Sequence, residues 1–270
     1  MMRVKQIPSE IERFVESTRH LTSAAVVPIS AVPRRRDQRT RLGRVAGLPV
    51  HRSIVGFDIE KSTSAPRTNP IKQELRDELY RMIEEAMTVT GIGTEHCDPF
   101  EDRGDGLLAL IHPIDEIPKA YILSRLLPEL TRLLAERNRG LPAAEQARRQ
   151  IRLRAVVHAG EVHHDDRGCF GEALDLACRL LDAARLKRQL RTSTEPLALV
   201  VSEDIYWGVV KHEYDGIREA AFRPAIAVNV AGRHRQGWIH VPGCDVPPAL
   251  HLTTQRAEAH DLPSRSVTGG

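Results

Sequence analysis

IVGFDIEKST, residues 54–63, is apolar through Phe57 and then sets Asp58 and Glu60 at its end. The run SIVGFDI has the length of a strand and the continuous apolar character of a strand buried on both faces. Such a strand gains nothing from a carboxylate at its C-terminal end, so Asp58 calls for a partner. The best one lies in EDRGDG, residues 101–106, where Gly104 and Gly106 flank Asp105. Glycine on both sides permits a tight hairpin and close backbone approach. The apolar GLLALIH, residues 106–112, follows at once and places Asp105 at a strand end too. If that hairpin lies beside IVGFDI, the two carboxylates converge. They repel each other unless a cation lies between them. Oxygen ligands of this kind suit Mg²⁺ or Mn²⁺ bridging to substrate phosphates.

Working outward, helical and strand periods alternate. NPIKQELRDELYRMIEEAM predicts a helix capped by Asn69, with Pro70 in its first turn and Leu75, Leu79, Met82 and Ala86 on one face. PKAYILSRLLPELTRLLAERN predicts a long amphipathic helix that kinks or restarts at Pro128. IRLRAVVHAGEVHHDDRG reads as two strands with a turn near Gly160. GEALDLACRLLDAARLKRQL reads as one helix with an inward stripe of Leu174, Ala177, Cys178, Leu181 and Ala184. The strand LALVVS, a short helix capped by Ser202, and a hairpin of AIAVNVAG and GWIHVPG complete the unit. Strands and helices mixed in this way predict an α/β (α+β) sandwich, a mixed and mostly antiparallel sheet covered by helices.

The organisation expected is an N-terminal helix and basic linker over residues 1–50, one folded unit over 51–243, and a flexible polar tail over 244–270. The chain has 270 residues, 41% of them hydrophobic, enough for a sizeable core, and a formal charge of only +3. That charge does not announce a nucleic-acid protein. The basic cluster PRRRDQRTRLGR, Pro33–Arg44, reads as a solvated arm. The four cysteines show no CxxC pairing, which suits a reducing compartment. No apolar run reaches the roughly 18 residues of a membrane span, and no signal-peptide core is seen. A cytoplasmic protein is the expectation. His158, His163 and His164 in HAGEVHHDD do not make a zinc site, because His163 and His164 point to opposite faces of a strand.

Asp175 and Arg179 stand four apart on the helix after this hairpin. They read either as an intrahelical ion pair or as an arginine set against a phosphate. Taken in order, VGFDIEKST, EDRGDG, RLRAVVHAGEV and GEALDLACRLLDA resemble the class III nucleotidyl cyclase domain over about residues 51–243. The resemblance implies a ferredoxin-like cyclase sandwich that converts an NTP to a 3′,5′-cyclic nucleotide and pyrophosphate. It implies two Mg²⁺ or Mn²⁺ ions on Asp58, Asp105 and the backbone carbonyl of Ile59. Glu60, Lys61, Ser62 and Thr63 match the turn whose amides hold the terminal phosphates, and Arg179 matches the arginine that stabilises the transition state. In that mechanism the ribose 3′-oxygen attacks the α-phosphorus in line and pyrophosphate leaves. Metals come from one domain and the arginine from the other, so one domain per chain implies a homodimer.

The sequence also departs from the family. Asp175 stands where the family has an asparagine that holds the ribose, and a carboxylate accepts but does not donate. Arg233 and Arg235 occupy the region of the expected transition-state lysine. Glu101 falls at the base-selecting position, as in guanylate cyclases, while the second base contact falls near Gly168 or Cys169. Arg103 is a further base or phosphate contact. GTP, ATP and UTP all stay open, the last because the uridylate cyclases of bacterial anti-phage systems share the superfamily. The alternative function is a catalytically degenerate cyclase-like module that binds a nucleotide or a partner protein.

Overall fold

The computed structural model describes residues 47–243. The expected N-terminal helix, the basic linker, the C-terminal tail and Cys244 lie outside the described residues. Strand β1 (Val50–Ile59) leads into helix α1 (Asn69–Val89). The short β2 (Glu101–Asp102) turns back into β3 (Gly106–Ile111). Helix α2 (Lys119–Tyr121) passes through a π-helical stretch, Ile122–Leu126, into α3 (Leu127–Arg139), and α4 (Ala143–Arg149) follows. Next come β4 (Leu153–His164), β5 (Cys169–Phe170), α5 (Glu172–Leu181) and α6 (Ala184–Thr192). Strand β6 (Leu197–Ser202), helix α7 (Glu203–Gly208) and the hairpin of β7 (Arg223–Val230) and β8 (Arg233–His240) close the domain.

The sheet runs β2-β3-β1-β4-β6-β8-β7, with β5 paired to β4. Only β4 and β6 are parallel; the other pairs are antiparallel. Because side chains alternate along a strand, the sheet has two apolar faces. Val55, Phe57, Leu107, Ala155 and Leu199 pack under Leu75, Leu79 and Met82 of α1 and Leu130 and Leu134 of α3. Ile54, Leu108, Val156, Val200 and Ile239 pack under Leu174, Ala177 and Leu180 of α5 and Leu186 and Leu190 of α6. Each fully buried leucine contributes about 2 kcal/mol. This is the mixed, mostly antiparallel sandwich expected from the sequence.

Four local readings need correction. The cap of α1 is Thr68, one residue early, and it makes no side-chain cap bond. Residues 153–164 form one strand, and Gly160 is not a turn. A Cβ there would come within 2.8 Å of the Ala173 Cβ, so the glycine lets α5 lie close on the sheet. The expected single helix over residues 171–190 is two, broken where Ala183 takes extended backbone (φ −59°, ψ 134°). The break redirects Leu186 and Leu190 into the core. The inward stripe of α5 is therefore Leu174, Leu176, Ala177 and Leu180, with Cys178 and Leu181 half-buried and Ala184 exposed. Pro128 does interrupt its helix. It opens α3 directly after the π-helical stretch, whose wider turns suit a residue with no N–H to donate.

Candidate active site

The strand tips place the two acids together. Asp58 is in register with Gly106, and the Ile59 amide donates to the Asp105 carbonyl at 3.0 Å. A Cβ on Gly106 would run into the Phe57 carbonyl, so only glycine lets Asp105 sit this close to β1. Asp58 lies on the face covered by α5 and α6, and its Oδ2 accepts from Nη2 of Arg154, its cross-strand partner on β4. Its Oδ1 is buried with no hydrogen-bond partner among the described residues. Burial pushes the Asp58 carboxyl above its ordinary range, Arg154 opposes that rise, and the charge on Asp105 adds to it. Asp105 is exposed and accepts a bond from the Ser62 hydroxyl.

After Ile59 the chain turns through Lys61, which takes a left-handed conformation at φ 58°. The Ser64 amide closes the turn on the Lys61 carbonyl at 3.0 Å. Among the described residues, the amides of Lys61, Ser62 and Thr63 donate to no backbone carbonyl. Consecutive free amides of this kind form an anion-binding concavity. Glu60 does not join them. Its amide donates to the Arg152 carbonyl at 2.8 Å, and its carboxylate is buried against Arg152 at 3.3 Å. Glu60 holds the turn to β4, so its expected role as a phosphate donor is withdrawn.

The remaining predicted residues fall into two groups. Glu101, Gly168, Cys169 and Arg103 come together. A Cβ on Gly168 would lie 3.7 Å from Glu101 Oε2. Burial, then the Glu101 charge, pushes the Cys169 thiol up to about 11. Arg103 reaches over to α5, where its Nη2 donates to Cys178 Sγ at 2.9 Å. The second group is apart from the acid pair. Arg233 is tied to Glu172 at the start of α5, and Arg235 donates to Asp204 at 2.6 Å beside the buried His158. Asp175 and Arg179 are exposed on α5 and form no ion pair with each other, which removes the intrahelical salt-bridge reading.

Sequence reasoning missed Arg154. In RLRAVV it looks like one more basic residue at a strand start; only the register with β1 sets its guanidinium on Asp58. Of the histidines weighed for zinc, His163 stacks on Phe170 and His164 turns toward Asp98. Among the described residues no group of three or more His, Cys, Asp and Glu side chains is placed to hold a metal. The two-carboxylate pair with its unpartnered buried Asp58 oxygen is nevertheless a donor set that suits a hard divalent cation. Cys97, Cys169 and Cys178 are free thiols. Among the described residues no helix is long and apolar enough to cross a membrane.

No protein-family model matches the chain, and no curated protein matches it. Solved structures do. A bacterial light-regulated adenylyl cyclase aligns at TM-score 0.50 and 14% identity, covering 86% of this chain and 65% of its own length. An adenylate/guanylate cyclase/hydrolase from Silicibacter pomeroyi aligns at TM-score 0.48 and 20% identity, covering 72% and 98%. The adenylyl cyclase CyaB from P. aeruginosa aligns at TM-score 0.47 and 13% identity, covering 73% and 97%. Together with the strand order derived above, the domain has the fold of the class III nucleotidyl cyclase domains.

Proposed function

We propose that this chain is a nucleotidyl cyclase that acts on an NTP at a site shared by two copies. The observation that carries this reading is the meeting of Asp58 and Asp105 at adjacent strand tips, beside three free amides and with a buried carboxylate oxygen left unpartnered. Asp58, Asp105 and the Ile59 carbonyl would hold two Mg²⁺ or Mn²⁺ ions, which supply Lewis acidity and neutralise the triphosphate. The amides of Lys61, Ser62 and Thr63 bind the terminal phosphates. Arg154 keeps Asp58 neutralised in the resting protein; its Nε, buried and unpartnered among the described residues, is a donor in reserve. Glu101, Gly168 and Cys169 form the base wall, where a carboxylate favours an N–H-bearing edge such as that of guanine. Arg179, free on α5, stabilises charge on the phosphates of the partner copy's site, and Asp175 accepts from the ribose.

The assay mixes the purified protein with each of the four NTPs and Mn²⁺ and follows pyrophosphate release. Turnover of one NTP, lost in both Asp58→Ala and Asp105→Ala, is the expected result. Nucleotide binding without turnover would instead support the second reading, a degenerate cyclase-like module. That reading is favoured by the capture of Arg233 and Arg235 by Glu172 and Asp204, which leaves neither arginine free to replace a transition-state lysine.

A further inference from the structure

At the end of the sheet remote from the acid pair, one carboxylate gathers four segments of chain. Asp98 stands in the loop before β2 and is 4% exposed. Its Oδ2 accepts from Nε of Arg52, near the start of β1, at 2.8 Å. Its Oδ1 lies 3.2 Å from Nε2 of His112, just past the end of β3. Nε2 of His164, the last residue of β4, lies 3.5 Å from Oδ2. The Asp98 amide donates to the Leu110 carbonyl at 2.9 Å. A carboxylate buried this deeply is costly unless it is both charge-paired and hydrogen-bonded. Arg52, 8% exposed, supplies the charge and also donates to the His51 carbonyl. An ionised carboxylate only accepts, so the His112 Nε2 facing it carries the proton. Because side chains alternate, Arg52 and His164 share the face of Ile54 and Val162, which is the face that carries Asp58.

Two short strands depend on this carboxylate. Three residues after Asp98, Glu101 opens β2, and Cys169, in register with His164, opens β5. Each of these strands is two residues long, and among the described residues β5 pairs with β4 alone. A ladder so short fixes its strand weakly. The β2–β3 and β4–β5 hairpins approach each other where a Cβ on Gly168 would lie 3.7 Å from Glu101 Oε2. The Asp98 charge also reaches Cys169, where it joins burial and Glu101 in raising the thiol against the opposing Arg103. One hairpin is thus tied to Asp98 through its own loop and His112, the other through His164. Displacing either tie moves Glu101 relative to Cys169.

We propose that Asp98 is a positioning residue: held by Arg52, it clamps the β2–β3 hairpin to the β4–β5 hairpin through His112 and His164 and so sets the gap between Glu101 and Cys169. Assigning that gap to the reading of a base rests on the cyclase reading; the clamp itself does not. Asp98 touches no substrate in this scheme. It acts through the two hairpins, and its loss widens the gap without removing any group that lines it.

The test follows each cysteine of the full chain separately, by peptide mass spectrometry, during reaction with N-ethylmaleimide in neutral buffer. His164→Leu keeps the side-chain volume and loses the N–H. It is expected to speed alkylation of Cys169 by about tenfold, as the population of opened hairpin rises by that factor. His164→Gln returns an N–H near the position of Nε2 and should restore the slow rate. Asp98→Asn should speed the reaction too, and adding His164→Leu to it should change nothing further. Asp98→Asn strands the Arg52 charge and can cost the fold; the His164 variants leave that pair intact and decide the matter by themselves. In them the buried Cys97 and Cys178 on α5 are internal controls. A Cys169 rate unmoved by His164→Leu overturns the clamp. So does a parallel rise at Cys97 and Cys178, which marks general loosening. The nucleotide arm is separate. Where an NTP is turned over, His164→Leu should weaken the preference among NTPs through KM at unchanged kcat; an unchanged preference beside a faster Cys169 keeps the clamp and removes its role in base reading. A chain without turnover removes the cyclase reading, and the alkylation rates still decide the clamp.

Discussion

Asp58 is held between opposing influences. Burial raises its carboxyl above the ordinary 3.8, the Arg154 bond and charge lower it, and the Asp105 charge raises it again, with a net upward shift. A carboxyl with a raised folded-state value holds its proton more tightly folded than unfolded. Folding stability therefore falls as pH rises from 3.8 through the higher folded value, where the ionised form is penalised. Asp58→Asn removes that titration. In thermal melts without metal, the midpoint of Asp58→Asn relative to wild type should climb as pH rises through this window, then level off; a flat difference refutes it. Mn²⁺ should raise the wild-type midpoint above the window and leave Asp58→Asn unmoved. The acid pair was legible because a carboxylate ending an apolar strand and an aspartate bracketed by glycines are both anomalies along the chain. Arg154 and Glu60 were not, because what they do depends on strand register and on Arg152, neither of which a linear pattern contains.

At the scale of elements, periodicity located the central strands, α1 and the closing hairpin. It misread the places where tertiary contact overrides local pattern. Gly160 resembled a turn signal but marks the closest approach of α5 to β4. The run from residue 171 to 190 resembled one helix, because its apolar period continues across the break at Ala183 that lets α6 drop Leu186 and Leu190 onto the sheet. The Gly160 contact makes a direct prediction. Gly160→Ala forces Ala173 and its helix outward and should cost about 1–2 kcal/mol in urea unfolding. Ala173→Gly alone should cost about 1 kcal/mol through helix propensity. The double variant should lose less than the sum, with a coupling of about 1 kcal/mol. Strict additivity would mean that the two residues do not touch in solution. Because α5 carries Asp175 and Arg179, Gly160→Ala should also lower turnover more than its stability loss alone explains.

For the whole molecule, two buried histidines make folding sensitive to mild acid. Burial brings His158, bonded to Ser202 at 2.8 Å, and His240, against the Ala221 carbonyl at 3.3 Å, down to about 4, from 6.5 when unfolded. As pH falls below 6.5 the unfolded chain takes protons that the folded chain refuses, so stability present at neutral pH is lost down to about 4. The ceiling is on the order of 3 kcal/mol for each. Urea midpoints should drop between pH 7.5 and 5, and His158→Gln should shrink that drop by about half. Assembly makes the last prediction. Asp58 and Asp105 sit at the strand tips, while Arg179 is exposed on α5 and unpaired among the described residues, as a residue serving another copy would be. In a two-fold dimer each copy would then give acids to one site and its arginine to the other. Asp58→Asn and Arg179→Ala should each be inactive alone. Mixed in equal amounts with exchange of subunits, about half the dimers are heterodimers in which one of two sites has both intact parts, so about a quarter of wild-type turnover returns. An arginine acting within its own chain gives no recovery at any mixing ratio, because every site then carries one lesion; a chain that sediments as a monomer while turning over an NTP would reject the shared site outright.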